Sequence, residues 1–264
     1  MEFQYFDAHS HVQDKDFDKD REDILDALAW MKIGTVAVGT DLASSEAAVA
    51  LAQRRDPVFA AVGQHPTDTD EAFDETAFAR LAREPRVVAV GECGLDYFRT
   101  DDVAAARAKQ VPLFEAQIAL AAAVKKPLMI HARPSRGTMD AYREILDMLT
   151  SAKREYGDAL TANLHFFAGG LDEARAFLGL GFTLSFTAVL TFARDYDEVV
   201  RFAPLDRILA ETDAPYVAPA PNRGRRNDPR AVQAVVAALA GIRAEEEEVV
   251  RQATVENTIR ILRL

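Results

Sequence analysis

Eight times in 264 residues the chain sets a short apolar run ahead of a segment with helical spacing, and no other feature restricts its fold as much. The first run is Phe3, Tyr5 and Phe6. The others are residues 35–39, 59–63, 86–91, 127–130, 160–164, 182–186 and 206–210. Runs this short and this uniformly apolar suit strands covered on both faces. Between them lie predicted helices at 19–32, 44–55, 74–83, 104–124, 138–156, 171–180 and 195–202. The first carries Ile24, Leu25, Leu28 and Met31 at helical spacing with Gly34 as a stop signal, and the second starts at Ser44 or Ser45. A Pro- and Arg-rich loop at 214–229 precedes two last helices, at 230–239 and 245–261.

Strands alternating with helices over short connections imply parallel pairing through right-handed crossovers. Eight such units fit a (β/α)8 barrel, typically about 250 residues long. The expectation is one α/β barrel domain over residues 1–264. An open doubly wound sheet ranks second, because no glycine-rich dinucleotide fingerprint follows the first run.

All five histidines take the same kind of position. His9, His11, His65, His131 and His165, with Glu92 and Asp213, sit at or just past the C-terminal ends of predicted strands. In a parallel barrel those ends share one face, where barrel enzymes build their sites. Residues two apart on a strand point to one side, so His9 and His11 suit a chelating pair. Taken singly, His131 and His165 fit satisfied core histidines, Glu92 a partner for a nearby arginine, and Asp213 a cap on the turn at Ala214–Pro215. Taken together, buried carboxylates beside imidazoles call for a compensating cation. Four imidazoles and two carboxylates, with Glu92 as bridge, match two divalent ions: zinc, manganese or magnesium. With Cys93 as the sole cysteine, a thiolate cluster and an internal disulfide are excluded.

A net charge of −11 argues against a protein that coats nucleic acid through a basic face, yet allows an enzyme whose cations draw a phosphate into a pocket. The N-terminal stretch Met1 to Asp7 lacks the basic start and apolar core of a signal peptide, and no apolar run is long enough to span a bilayer. A cytoplasmic protein with no membrane partner is expected.

Six motifs in order, Asp7-Ala8-His9-Ser10-His11, Gly63-Gln64-His65-Pro66, Gly91 to Tyr97, Ile130-His131-Ala132-Arg133, His165 to Gly169 and Glu211 to Tyr216, then Arg223 to Pro229, resemble those of the TatD family of metal-dependent hydrolases. The likeness runs from His9 to Asn257. It implies a (β/α)8 barrel of the amidohydrolase-like kind and, as in several members, a 3′ to 5′ deoxyribonuclease dependent on divalent metal. Carried over residue by residue, it implies His9, His11 and Asp213 on one ion, His131 and His165 on the other, and Glu92 on both. Two departures bear on substrate choice. Arg133 is followed by Pro134-Ser135-Arg136-Gly137 where relatives often carry an acidic residue, and Ala168 stands where Ser or Thr is common.

Such a cation pair supplies an activated water and polarises a phosphoryl oxygen. Asp213 is the expected base. His65 is expected to assist the leaving group or bind substrate, and Arg133 and Arg223 to hold flanking phosphates of DNA or RNA. Arg136, Arg225 and Arg226 fit solvated loop charge better. Tyr97, Phe98, Phe166, Phe167 and Tyr216 suit wall packing better than base stacking. Asp7, Asp96 and Glu211 are read as groups that orient ligand imidazoles, and Cys93 as a small buried side chain. Two other readings remain open: a dinuclear acyl hydrolase acting on a small ester, an amide or a D-aminoacyl-tRNA, and a noncatalytic metal-bound scaffold.

Overall fold

The computed structural model describes residues 3–264; Met1 and Glu2 of the N-terminal stretch lie outside the described residues. Eight parallel strands follow one another around the sheet in chain order, as a (β/α)8 barrel requires. They are β1 (Tyr5–Ser10), β2 (Ile33–Val38), β3 (Val58–Val62), β4 (Val87–Asp96), β5 (Leu128–Arg133), β6 (Ala162–Leu164), β7 (Thr183–Phe186) and β8 (Ile208–Ala210). Helices α1 (Arg21–Met31), α2 (Leu42–Arg54), α3 (Glu75–Leu81), α4 (Val103–Val124), α5 (Asp140–Tyr156), α6 (Leu171–Gly179) and α7 (Asp197–Phe202) alternate with them, and α8 (Val232–Arg243) and α9 (Glu247–Leu262) close the chain.

Both faces of the sheet are buried, which is why the strands read as unbroken apolar runs. On β2, Ile33 and Ala37 join a large cluster with Leu25, Leu51, Phe114, Ile145 and Leu239 from the helices. Val36 and Val38 join a smaller cluster with Phe6, Ala8, Phe59, Ala61, Met129 and Leu209, packed against Val255 and Ile261 of α9. The first is the layer between sheet and helices and the second fills the barrel.

The seam between β8 and β1 is closed largely by polar groups. Thr212 donates from its backbone N and its hydroxyl to the two oxygens of Asp7, at 2.7 and 2.8 Å. The Asp213 amide donates to the His9 carbonyl at 2.9 Å, and the His11 amide to the Ala214 carbonyl at 2.7 Å. The bonds that complete the barrel therefore fix three of the proposed metal-binding residues relative to one another.

Several expected boundaries move, each for a local reason. Gly34 does not stop α1. The left-handed residue there is Lys32, φ 56°, and Gly34 lies within β2, where a Cβ would come 2.6 Å from the Phe6 ring. Ser44 does not start α2 either. Asp41 is the cap and accepts from the Ser44 amide at 2.6 Å, while the Ser44 hydroxyl accepts from the Asp41 amide at 3.0 Å. The fourth strand runs beyond Gly91 to Asp96, with a register shift between Val90 and Cys93, so Glu92 lies within a bulged strand instead of just past one. The fifth strand likewise extends past Ile130 and includes His131.

No helix among the described residues is long and apolar enough to cross a membrane.

Candidate metal centre

Glycines place the central carboxylate. Gly91 and Gly94 flank Glu92 at φ 152° and 137°, and a Cβ at either would run into the backbone of β5, at Met129 and His131 respectively. Only glycine tolerates both that conformation and that approach. The Glu92 amide is held by the Gly39 carbonyl at 2.9 Å, and the side chain, almost wholly buried, points among the histidines.

The two oxygens of Glu92 face different partners. Oε2 lies 3.5 Å from His9 Nε2 and 3.7 Å from His11 Nε2. Oε1 lies 2.9 Å from His131 Nδ1 and 3.5 Å from the Nε2 atoms of both His165 and His65. Asp213 joins the first group, with Oδ1 at 3.7 and 3.5 Å from His9 and His11 Nε2. It reaches there from a left-handed backbone conformation, φ 54°, uncommon for a residue with a side chain.

The donor set itself tests whether a cation fits. His9 and His11 turn their Nε2 atoms toward each other at 3.3 Å with carboxylate oxygens beside them, and the His9 and His165 rings stack at 3.6 Å. So many converging donors repel one another unless a positive charge sits between them. Two groups within ligand reach of a common point are His9, His11 and Glu92, and Glu92, His131 and His165. Further groups able to hold an ion are His65, Asp96 and His131, and His9, His165 and Glu211.

Electrostatics follow this crowding. Burial alone would lower His165, but Glu211 and Glu92 outweigh it and raise the imidazole to about 10. Burial would raise Glu92, yet the neighbouring His65 and His165 and the hydrogen bonds from His131 and His9 hold it well below the usual carboxylate range. Asp213 is likewise depressed against burial, chiefly by His11. His65 falls to about 3, through burial and then the charge of His131, with Arg99 adding to it.

Of the groups expected to orient imidazoles, two do so. Glu211 Oε1 is 2.9 Å from His165 Nδ1, and Asp96 Oδ2 is 3.1 Å from His131 Nε2. Asp7 does not reach a ring, being engaged with Thr212 and Thr35, and His9 Nδ1 has no hydrogen-bond partner among the described residues. Cys93 is fully buried, and burial raises its thiol well above the ordinary range. Tyr97 and Phe167 are buried in the wall, as expected.

A cavity of about 800 Å³ opens above these groups, lined by His11, His65, Glu92, His131, His165 and Asp213. Of the arginines singled out by motif, Arg133 lines it. Arg223 does not, and stacks instead on Phe192, 4.3 Å from the ring centroid. Arg226 is exposed, as expected of a loop charge, and also ties the 214–229 loop to Asp20 and to the Asp16 carbonyl. Arg99 and Tyr196 also line the cavity, and the sequence reading missed both. Arg99 had a signal, since it stands three residues after Asp96 at the end of a motif; Tyr196 had none.

A parallel barrel with histidine–carboxylate clusters at the C-terminal mouth defines the metal-dependent hydrolase class of barrel enzymes. The family model described as TatD related DNase matches residues 6–263, and the chain belongs to the TatD family of metal-dependent hydrolases. The uncharacterized metal-dependent hydrolase YabD of Bacillus subtilis is 33% identical, over 98% of this chain and 99% of its own length. A 3′-5′ ssDNA/RNA exonuclease TatD from Erwinia billingiae is also 33% identical, over 98% and 99%. The crystal structure of YJJV, a TatD homolog from Escherichia coli, superposes with a TM-score of 0.88 at 27% identity, covering 99% of this chain and 98% of that one.

Proposed function

We propose that this protein is a two-metal exonuclease that removes nucleotides from the 3′ end of single-stranded DNA, and of RNA. The observation that carries the reading is the division of Glu92, one oxygen toward His9 and His11 and the other toward His131 and His165. In it, His9, His11 and Asp213 would hold one divalent ion, zinc, manganese or magnesium, His131 and His165 would hold a second, and Glu92 would be shared. When bound, such a pair supplies an activated water and neutralises charge on a phosphoryl oxygen.

The chain's own groups do the rest. Asp213 has a second carboxylate oxygen with which to orient the attacking water and take its proton. His65, fixed through Nδ1 by the Thr67 hydroxyl at 2.7 Å, turns Nε2 into the cavity toward the leaving or phosphoryl oxygen. Arg133 on the wall offers a planar donor fork to a phosphate. The relatives from Erwinia billingiae and Citrobacter koseri, named as 3′-5′ ssDNA/RNA exonucleases, support the choice of substrate.

The test is a digest of end-labelled single strands, with and without chelator, beside metal analysis of the protein. Release of 5′-mononucleotides that stops on chelation and returns with added metal is expected. Intact oligonucleotides alongside turnover of a carboxylic ester would overturn the reading.

A further inference from the structure

The mouth of the cavity is divided by charge. Asp14, Asp41 and Asp68, after β1, β2 and β3, occupy one arc of its wall, while Arg99 and Arg133, from β4 and β5, occupy the next. Arg133 is braced by an aromatic ring, its guanidinium 4.1 Å from the Phe98 centroid with Arg136 over the same ring at 5.1 Å, a face-on contact that leaves its N–H edge for a phosphate. Arg99 is placed differently. Its amide is held by Asp96 Oδ1 at 3.1 Å, which fixes the loop above His131, and its side chain extends outward, 53% exposed, with Nε 3.7 Å from Asp96 Oδ2. It lines the cavity together with His65, after β3, and Tyr216, after β8.

Resting on the nuclease reading, we propose that Arg99 is the strand-positioning residue of this site. It grips the phosphate next to the one being cleaved and directs the strand out across the β4 and β5 side of the mouth. The physical reason is the contrast between the arcs. A polyanion is repelled along Asp14, Asp41 and Asp68 and attracted along Arg99 and Arg133, so the continuing strand, with a charge at every link, takes the basic side. The terminal nucleotide, with fewer phosphates, is left for the acidic side. A guanidinium suits the task because its fork matches two phosphate oxygens at once.

Arg99→Gln and Arg99→Lys are compared with wild type, all loaded with manganese, on an oligothymidylate and on bis(p-nitrophenyl) phosphate, which has one phosphate and no neighbour to grip. Arg99→Gln is expected to raise KM for the oligothymidylate about tenfold or more. It should flatten the salt dependence by about the share of one phosphate contact. Turnover of the single diester and metal content should stay unchanged, and Arg99→Lys should restore the salt slope without the full affinity. An unaltered oligothymidylate KM overturns the proposal. Equal losses on both substrates, or lost metal, overturn it too, because Arg99 would then act through Asp96 and His131. Should wild type cleave no oligonucleotide, the nuclease reading fails by itself. Anisotropy of a labelled oligothymidylate then decides for Arg99, with tenfold weaker binding by Arg99→Gln supporting it and equal binding overturning it.

Discussion

Glu211 and His165 form the most fully specified pair in the site: Oε1 of the carboxylate lies 2.9 Å from Nδ1 of the ring and also accepts the Phe166 amide at 2.6 Å. The other oxygen of Glu211 accepts from the Ser185 hydroxyl at 2.6 Å. Held at both ends, the carboxylate sets the tautomer and the angle of the imidazole, so that Nε2 faces Glu92. Such a partner also raises the basicity of a ligand ring.

Glu211→Gln keeps the shape and removes the charge. Metal affinity is expected to fall by about 10- to 100-fold. Activity titrated against added metal should shift by that factor and recover at saturation; an unmoved titration curve would count against the orienting role.

Asp213→Asn leaves one oxygen able to face His9 and His11 and removes the proton acceptor. Turnover should drop by about 100- to 10,000-fold, the range for loss of a general base, with KM and bound metal kept. Steady-state kinetics beside metal analysis read this directly, and loss of metal in the variant would reassign Asp213 to binding alone.

Gly94→Ala forces a side chain onto a residue at φ 137° with the His131 carbonyl against it. Destabilisation of about 1–3 kcal/mol or more is expected from the backbone strain. Urea unfolding should show it as a lower midpoint at unchanged slope. Gly137→Ala, also at positive φ but with no atom of the described residues within 4 Å of the new Cβ, should cost less, because only the conformational penalty remains.

The loop after β5 carries a pH dependence. Burial is the largest single influence on the Asp140 carboxyl and would raise it, but the Ser135 hydroxyl and amide, with Thr138 and Ala141, together outweigh burial and hold the carboxyl below its ordinary 3.8. A carboxyl depressed in the folded state adds stability that is fully present above the unfolded value and is lost as pH falls through the folded one. The stability advantage of wild type over Asp140→Asn should therefore be constant from neutral pH to about 5 and vanish below the depressed value. Thermal unfolding at a series of pH values checks it, and a gap that persists at the acid end would show that the hydrogen bonds do not depend on the charge.

Most of the barrel could be read from the chain, because a buried parallel strand and its crossover helix each leave a local pattern in the residues. β2 and β3 lie where the apolar runs are, and all five histidines stand at one mouth, four lining the cavity and His9 beneath them against Glu92. The errors fall where a local signal has two meanings. Gly34 looked like a helix stop and is instead the space that the Phe6 ring needs. Ser44 looked like a cap and is the third residue of a helix capped by Asp41.

The sequence by itself determined the order of elements and the seven polar groups at the mouth, because pattern and position along each strand are properties of consecutive residues. Tertiary structure decided which of those groups face one another. It turned the two oxygens of Glu92 to different histidines, gave Asp7 to the seam with Thr212, moved Arg223 onto Phe192 and set Arg99 in the cavity wall. Each of these depends on contacts between segments far apart in the chain, and a side chain's direction is fixed only once the packing around it is complete.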